Sequence, residues 1–427
     1  MSWEKVDVLL LRGGTVVTGA RSVRADVLVR KGVVEAVGPA LAAPREARVE
    51  DATGLLVTPG FVDVHVHLRD PGAPDSETLE SGLEAAAAGG IHHVFCMANT
   101  DPVNDGAALT SDLVARARSL SPLALHPVAA VTRGLRGTEL TDFAALKAAG
   151  AGALSNDGLP VEDAATLGRA LERAEDAGLR ILVHAEDREL ALGGAVDERV
   201  ARRLHAKGIP VAAEDKGTAR DVGVAVEAGL PLHVCHVSTA GSVEIVRCVR
   251  AEGGRVTAEA TPHHLLLAYD EIPAGDTDFK MNPPLRSRAD VEAVVRALLD
   301  GTITAIATDH APHAPRRKAV PLDQAPFGAI GLETSFAVAY TALVRSGRMP
   351  VEALVRLYVD GPASIVGIGA PAIEPLRRAE INLIDPDAEW EVRPDCFLSR
   401  SRNCPFKGRR LRGRVVGVVA GESLRRF

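Results

Sequence analysis

From Phe61 onward the chain alternates short apolar runs with longer, Ala-rich stretches. The apolar runs fall at 61–67, 91–98, 124–131, 151–156, 180–185, 231–238, 255–261 and 303–308. Short apolar runs bounded by turn formers mark strands buried on both faces. The stretches between them, such as 77–89, 139–149, 161–177, 241–252 and 288–300, have a helical texture, and most meet a stop signal at Gly89, Gly150, Gly178, Gly253 or Gly301. Eight such alternations predict an α/β protein, a TIM-type (β/α)8 barrel, whose chemistry sits at the C-terminal ends of the strands. The connections that include 187–215, 265–287 and 311–330 are longer than a turn requires, and all three belong to that catalytic face.

The two ends of the chain read differently. Residues 6–11, 27–30 and 33–37 are short strand patterns separated by turns, and the tail from about 380 has the same character. Neither end alone could bury much core. The expected organisation is therefore a small β-sandwich domain assembled from residues 1–56 plus 372–427, around a catalytic barrel of residues 57–371.

The first barrel strand carries the sharpest chemical signal. In Phe61-Val62-Asp63-Val64-His65-Val66-His67-Leu68-Arg69-Asp70, apolar residues alternate with metal-binding types. Successive side chains of a strand point to opposite faces, so Asp63, His65 and His67 are expected on one face and Val62, Val64 and Val66 on the other. A solvated surface strand can also alternate His with Val, but it would not gather Asp, His, His and Arg between a Gly60 turn and a Pro71-Gly72 turn.

The other strands end in the same vocabulary. The second runs into Asn99, the fourth into Asn156-Asp157-Gly158, the fifth into His184-Ala185-Glu186, the sixth into His236 and the eighth into Asp309-His310-Ala311-Pro312-His313. Singly, each has a structural explanation: a strand-end His is commonly a hydrogen-bonded core group, and Asp before Gly is a turn former. Together His65, His67, His184, His236, Asp157 and Asp309 place four imidazoles and two carboxylates at one end of one barrel. That donor set suits two borderline metals, zinc above all. His263 and His264 read as supporting or core residues, not ligands.

Composition narrows the partner class. Across 427 residues, 46% are hydrophobic and 3% aromatic, with a formal net charge of −7, which argues against a nucleic-acid surface of basic stripes and stacking rings. A small-molecule substrate fits better. No long apolar run or charged-then-apolar leader is present, so a soluble, cytoplasmic protein without membrane contact is expected. Cys96, Cys235, Cys248, Cys396 and Cys404 are scattered without CxxC spacing, suggesting neither disulfides nor a cysteine metal site.

The strings DVHVHLRDPG, MANTDPV, SNDG, HAED, CHVSTAGS, TAEATPHHL, FKMNPPLR, ATDHAPH and APFGAIGLET, in that order and spacing, resemble the dihydroorotases of the amidohydrolase superfamily, specifically the longer bacterial type. The resemblance spans essentially the whole chain. It implies one metal held by His65, His67 and Asp309, a second held by His184 and His236, and Asp157 bridging them, with zinc as the metal. It also implies substrate contacts from Arg69, Asn99, Asn282 and His313, and a Phe327-Gly328 backbone closing over the ring. The implied reaction is the reversible cyclisation of N-carbamoyl-L-aspartate to L-dihydroorotate, a step of pyrimidine synthesis, with Asp309 carrying the proton. Ala98, Asn156 and Pro74-Asp75-Ser76 depart from the family's pattern without removing a ligand.

The residues themselves support Arg69, since a guanidinium is suited to bidentate recognition of a carboxylate. A hydantoinase, dihydropyrimidinase or allantoinase is the alternative cyclic-amide hydrolase. Those enzymes bridge their metals with a carboxylated lysine at the end of strand four, where this chain has Ser155-Asn156-Asp157; the nearest lysine, Lys147, falls in the preceding helix. Some dihydroorotase-like chains are metal-free partners of aspartate transcarbamoylase. The full ligand set argues for activity here and leaves open both a complex with that transferase and a homodimer.

Overall fold

A computed structural model describes residues 3–427. Its centre is an eight-stranded parallel sheet whose strands neighbour one another in chain order. They are β1 (Phe61–Val66), β2 (Ile91–Cys96), β3 (Ala124–Ala129), β4 (Ala153–Ser155), β5 (Ile181–Val183), β6 (Leu232–Val234), β7 (Val256–Ala260) and β8 (Ala305–Ile306). The sheet closes where Val66 bridges His310 and the His67 amide donates to the His310 carbonyl at 2.8 Å. All eight strands coincide with the apolar runs of the sequence.

The ring outside is made by α1 (Leu79–Ala88), α2 (Ala107–Leu120), α3 (Phe143–Ala148), α4 (Ala164–Asp176), α5 (Val211–Ala228), α6 (Ala240–Ala251), α7 (Arg288–Asp300) and α8 (Val351–Tyr358). Five begin with a side-chain cap, from Thr78, Asp142, Asp163, Thr239 and Ser287, which satisfies an amide with no partner inside the helix. Helix α5 starts inside the 187–215 connection, so the true excursion there is shorter than the sequence suggested.

One buried cluster, including Val62, Val64, Phe95, Met97, Val128, Ala153, Leu182, Cys235, Ala305 and Ala307, draws on seven of the barrel strands or their ends. The remaining strand, β7, contributes the fully buried carboxylate Glu259.

Strands from both termini join in one continuous nine-stranded mixed sheet. The link is the antiparallel pairing of Leu56–Pro59 with Glu380–Glu391, in which Val57 faces Leu383 and Pro59 faces Ile381. Leu9, Leu11, Val27, Val29, Ile381, Leu383 and Val419 form its core. Between Glu380–Glu391 and the next strand, Arg410–Ala420, residues 392–409 leave the sheet and reach the mouth of the barrel, where Asn403 bonds residues 311, 313 and 328.

Candidate metal centre and substrate pocket

The Asp157 carboxylate, just past β4, lies among four imidazoles. Its oxygens stand 3.4 Å from His65 Nε2, 3.4 Å from His67 Nε2, 3.8 Å from His184 Nδ1 and 3.7 Å from His236 Nε2. Asp309 Oδ1 is 3.1 Å from His67 Nε2 and 3.5 Å from His65 Nε2. His184 Nδ1 and His236 Nε2 are 3.0 Å apart. All six residues are buried. Arg69, His236 and Asp309 have positive φ angles of 54°, 35° and 46°; non-glycine residues hold such a conformation only where their surroundings enforce it, commonly at functional sites.

Whether these residues fit a metal is decided at His65. Its Nδ1 lies 2.9 Å from Glu259 Oε1, so the N–H belongs on Nδ1 and the lone pair on Nε2. That Nε2 is buried without a hydrogen-bond partner among the described residues, facing two carboxylates. A lone pair against anions is repulsive unless positive charge lies between them. A cation bound by mixed nitrogen and oxygen donors supplies it, and the donor set fits a borderline metal.

Burial alone would favour protonated carboxyls here, but the neighbouring imidazoles hold both Asp157 and Asp309 below the usual carboxylate range. Burial opposes charge on His184 too, and Glu186, 3.6 Å away, outweighs it and raises the imidazole.

The cluster forms one end of a cavity of about 570 Å³, lined also by Arg69, Asn99, Asn282, His313, Phe327 and Gly328. The proposed ligands and substrate contacts therefore all meet at this cavity, except His65, which is fully buried at the cluster. Burial lowers the Arg69 guanidinium to about 10. Among the described residues the guanidinium makes one hydrogen bond, from Nε to the Pro312 carbonyl at a long 3.4 Å, and no carboxylate lies within ion-pair distance. Asn99 is already engaged: Oδ1 lies 2.8 Å from His67 Nδ1, and Nδ2 donates to Asp157 Oδ2 at 3.2 Å. His313 Nε2 lies 2.7 Å from the Phe327 carbonyl and so carries the proton, leaving the buried Nδ1 as a free acceptor. Burial and the charge of Arg69 push that ring down to about 3. Asn282 donates to Glu186 at 2.9 Å, next to His184 Nε2.

Residues 54–242 match a family model described as Dihydro-orotase-like. A dihydroorotase from Anaeromyxobacter dehalogenans is 46% identical over 421 residues, covering 97% of each chain. One from Geobacter metallireducens is 44% identical over 416 residues, covering 97% of this chain and 98% of that one. This chain belongs to the dihydroorotase family. It is accordingly a cyclic amide hydrolase. Among solved structures, dihydropyrimidinase from Brevibacillus agri aligns with a TM-score of 0.83 over 98% of this chain and 94% of that one, at 24% identity, a likeness of fold.

One sequence expectation changes against this geometry. Asp63 does not join the imidazole cluster; its carboxylate accepts from the His65 amide and the Thr308 amide, both at 3.1 Å, and ties β1 to β8. A register shift between Asp63 and Val66 breaks the strict alternation assumed for this strand. Asn156, a departure from the family pattern, bonds Thr132 through both ends of its amide and makes none of the cluster's contacts.

The residues that sequence reasoning missed are chiefly partners of the cluster. Glu259 was visible as a carboxylate inside the apolar strand Val256–Ala260, an unusual place for charge. Asn403, in an unremarkable Arg-rich stretch, gave no signal.

Proposed function

We propose that this chain interconverts N-carbamoyl-L-aspartate and L-dihydroorotate, with His65, His67 and Asp309 holding one zinc ion, His184 and His236 a second, and Asp157 bridging them. The observation that carries the reading is the single Asp157 carboxylate within 3.8 Å of four imidazole nitrogens, beside a half-buried arginine with no ion-pair partner among the described residues. When bound, the metal supplies a polarised carbonyl and an activated water at neutral pH.

The protein's own groups do the rest. Arg69 pairs with the ring carboxylate of dihydroorotate and so fixes the scissile amide over the cluster. Asp309 accepts the proton of the attacking water and delivers it to the ring nitrogen as the C–N bond breaks. In the reverse direction, Asp309 takes the carbamoyl N–H proton as the C–N bond forms and passes it to a β-carboxylate oxygen, which departs as water with a second proton taken up from solvent. Phe327 and Gly328 wall the ring, and the bond from His313 to the Phe327 carbonyl keeps that wall in place.

A hydantoinase-type centre receives no support from this site. Lys147 is exposed, and its Nζ donates to the Gly178 carbonyl at 3.1 Å on the outside of the barrel. An uncharged hydantoin would also leave the half-buried Arg69 without a counter-charge.

The test couples metal analysis to an ultraviolet assay of dihydroorotate ring opening. Chelation should abolish turnover and zinc should restore it, while Asp157→Ala should lower metal content most among single ligand variants. Full activity in a demonstrably metal-free preparation would overturn the proposal. Mixing with aspartate transcarbamoylase on a sizing column tests association with that enzyme, and the chain alone on the same column gives its oligomeric state. No helix among the described residues is long and apolar enough to cross a membrane.

A further inference from the structure

Part of the cavity wall is built from the connection after β8, and its two limbs come together at Ala311 and Gly328. Their approach is close: Gly328 has φ +126°, and a Cβ placed there would lie 2.5 Å from the Ala311 Cβ. One side chain from outside the barrel closes this neck. Asn403 Nδ2 donates to the Ala311 carbonyl and to the Gly328 carbonyl, both at 3.0 Å, while its Oδ1 accepts from the His313 amide at 3.2 Å. Its own carbonyl accepts from the Ile330 amide at 2.9 Å. The side-chain amide thus uses both donor hydrogens and its oxygen on main-chain groups of one loop, at 3% exposure.

The rest of the excursion is moored to the connection after β1. Ser401 Oγ donates to the Ser76 carbonyl at 2.7 Å, and Ser399 Oγ and the Arg400 amide donate to Glu77 at 2.5 and 3.0 Å. Glu77 in turn lies 3.3 Å from His310, next to Asp309. Asn403 therefore sits on a segment fixed to the barrel at several points and is not a passenger on a loose loop.

We propose that Asn403 is a positioning residue for substrate: by stapling the neck of the 311–328 loop, it sets the distance between His313 and the Phe327-Gly328 wall, and so governs ring binding without touching the metal ligands. The inference rests on the reading of Arg69, His313, Phe327 and Gly328 as the substrate pocket. Removing the amide leaves two buried carbonyls and one buried amide without partners, and the loop can recover them only by opening toward water.

The experiment is steady-state kinetics in both directions on Asn403→Ala and on the milder Asn403→Ser, with metal content and thermal melting measured on the same preparations. The expected result is a KM raised about tenfold for dihydroorotate and carbamoyl aspartate, with kcat within about threefold of the parent, the signature of lost ground-state binding. Metal content should be unchanged, which a general loosening of the fold would not give. A folded variant with parental KM overturns the inference, as does a parallel fall of kcat with metal loss. If neither variant folds, Asn403 serves stability alone and the inference is likewise overturned. Arg69→Met, run alongside, separates the two levels. Lost activity there with normal KM in the Asn403 variants rejects this inference only, whereas parental kcat/KM in Arg69→Met rejects the pocket reading beneath it.

Discussion

Replacing Glu259 by Gln tests how the fold fixes the state of His65, the first of the proposed metal ligands. The carboxylate is wholly buried, with Oε1 2.9 Å from His65 Nδ1 and Oε2 3.0 Å from His233 Nε2. As an anion it accepts from both rings, and their hydrogen bonds hold it down at about 2 against the opposing effect of burial. Glutamine offers one acceptor and one donor, so one ring must change its tautomer. His233 can do so: its Nδ1 is 2.9 Å from the Thr257 hydroxyl, which either donates or accepts. His65 cannot, because a proton on Nε2 would remove the lone pair the metal needs. The Gln variant should therefore keep the geometry and lose only the charge, weakening zinc binding about tenfold, or ~1.4 kcal/mol, the low end for partners of metal-bound histidines. Glu259→Ala leaves both N–H groups unpaired and should reach about a hundredfold, ~2.8 kcal/mol. Thr257→Val should be nearly silent alone and should deepen the Gln effect by blocking the tautomer change. The assay is zinc titration of the apoprotein against a chromophoric chelator, with circular dichroism to confirm the fold. Equal affinity in parent and Gln variant, or an Ala variant no weaker than Gln, would refute the argument.

Further outcomes follow from the same geometry. Arg69→Met should lose ~2–5 kcal/mol of transition-state stabilisation, the usual penalty for truncating a desolvated charge pair, with metal content nearly unchanged; kcat/KM and metal analysis check both. Asp309→Asn should abolish both directions even where metal is retained, since an amide cannot accept the proton. In the parent, Asp309 lies below the usual carboxylate range, so its acid form is scarce near neutrality. Cyclisation takes up a proton and should fall as pH rises, whereas the rise of ring opening to a plateau reports ionisation of the activated water and not of Asp309; two profiles rising in parallel would exclude Asp309 as the shuttle. Lys318 donates to the carbonyls of Thr277 at 2.9 Å, Lys280 at 3.3 Å and Pro326 at 3.0 Å, and burial lowers it from 10.5 to about 7. Between those pH values the unfolded chain binds the extra proton, so stability should rise with pH across that window. Denaturant melts of the parent and Lys318→Met should converge in slope against pH if the assignment is wrong.

Much of this protein was legible before any coordinates. Strand positions and the candidate ligand set depend on local pattern: a short apolar run specifies a buried strand by itself, and the barrel topology sends every strand's C-terminal end to one face. His65, His67, Asp157, His184, His236 and Asp309 could therefore be gathered from strand ends alone. What failed was whatever needed a non-local partner or an irregular backbone. Strict alternation placed Asp63 beside His65, and a register shift in β1 sent it to the Thr308 amide instead. Glu259 meets His65 across 194 positions of sequence, and Asn403 meets His313 across 90. Periodicity carries no information about such pairs. Their polar groups are satisfied only when burial removes water and leaves another residue as the available partner. The sequence alone thus determined which residues could bind metal and where along the chain they lay. Only the tertiary structure decided which nitrogen of His65 faces the Asp157 and Asp309 carboxylates, that Asn99 bonds His67 and Asp157, and that an excursion from the terminal sheet joins the cavity wall.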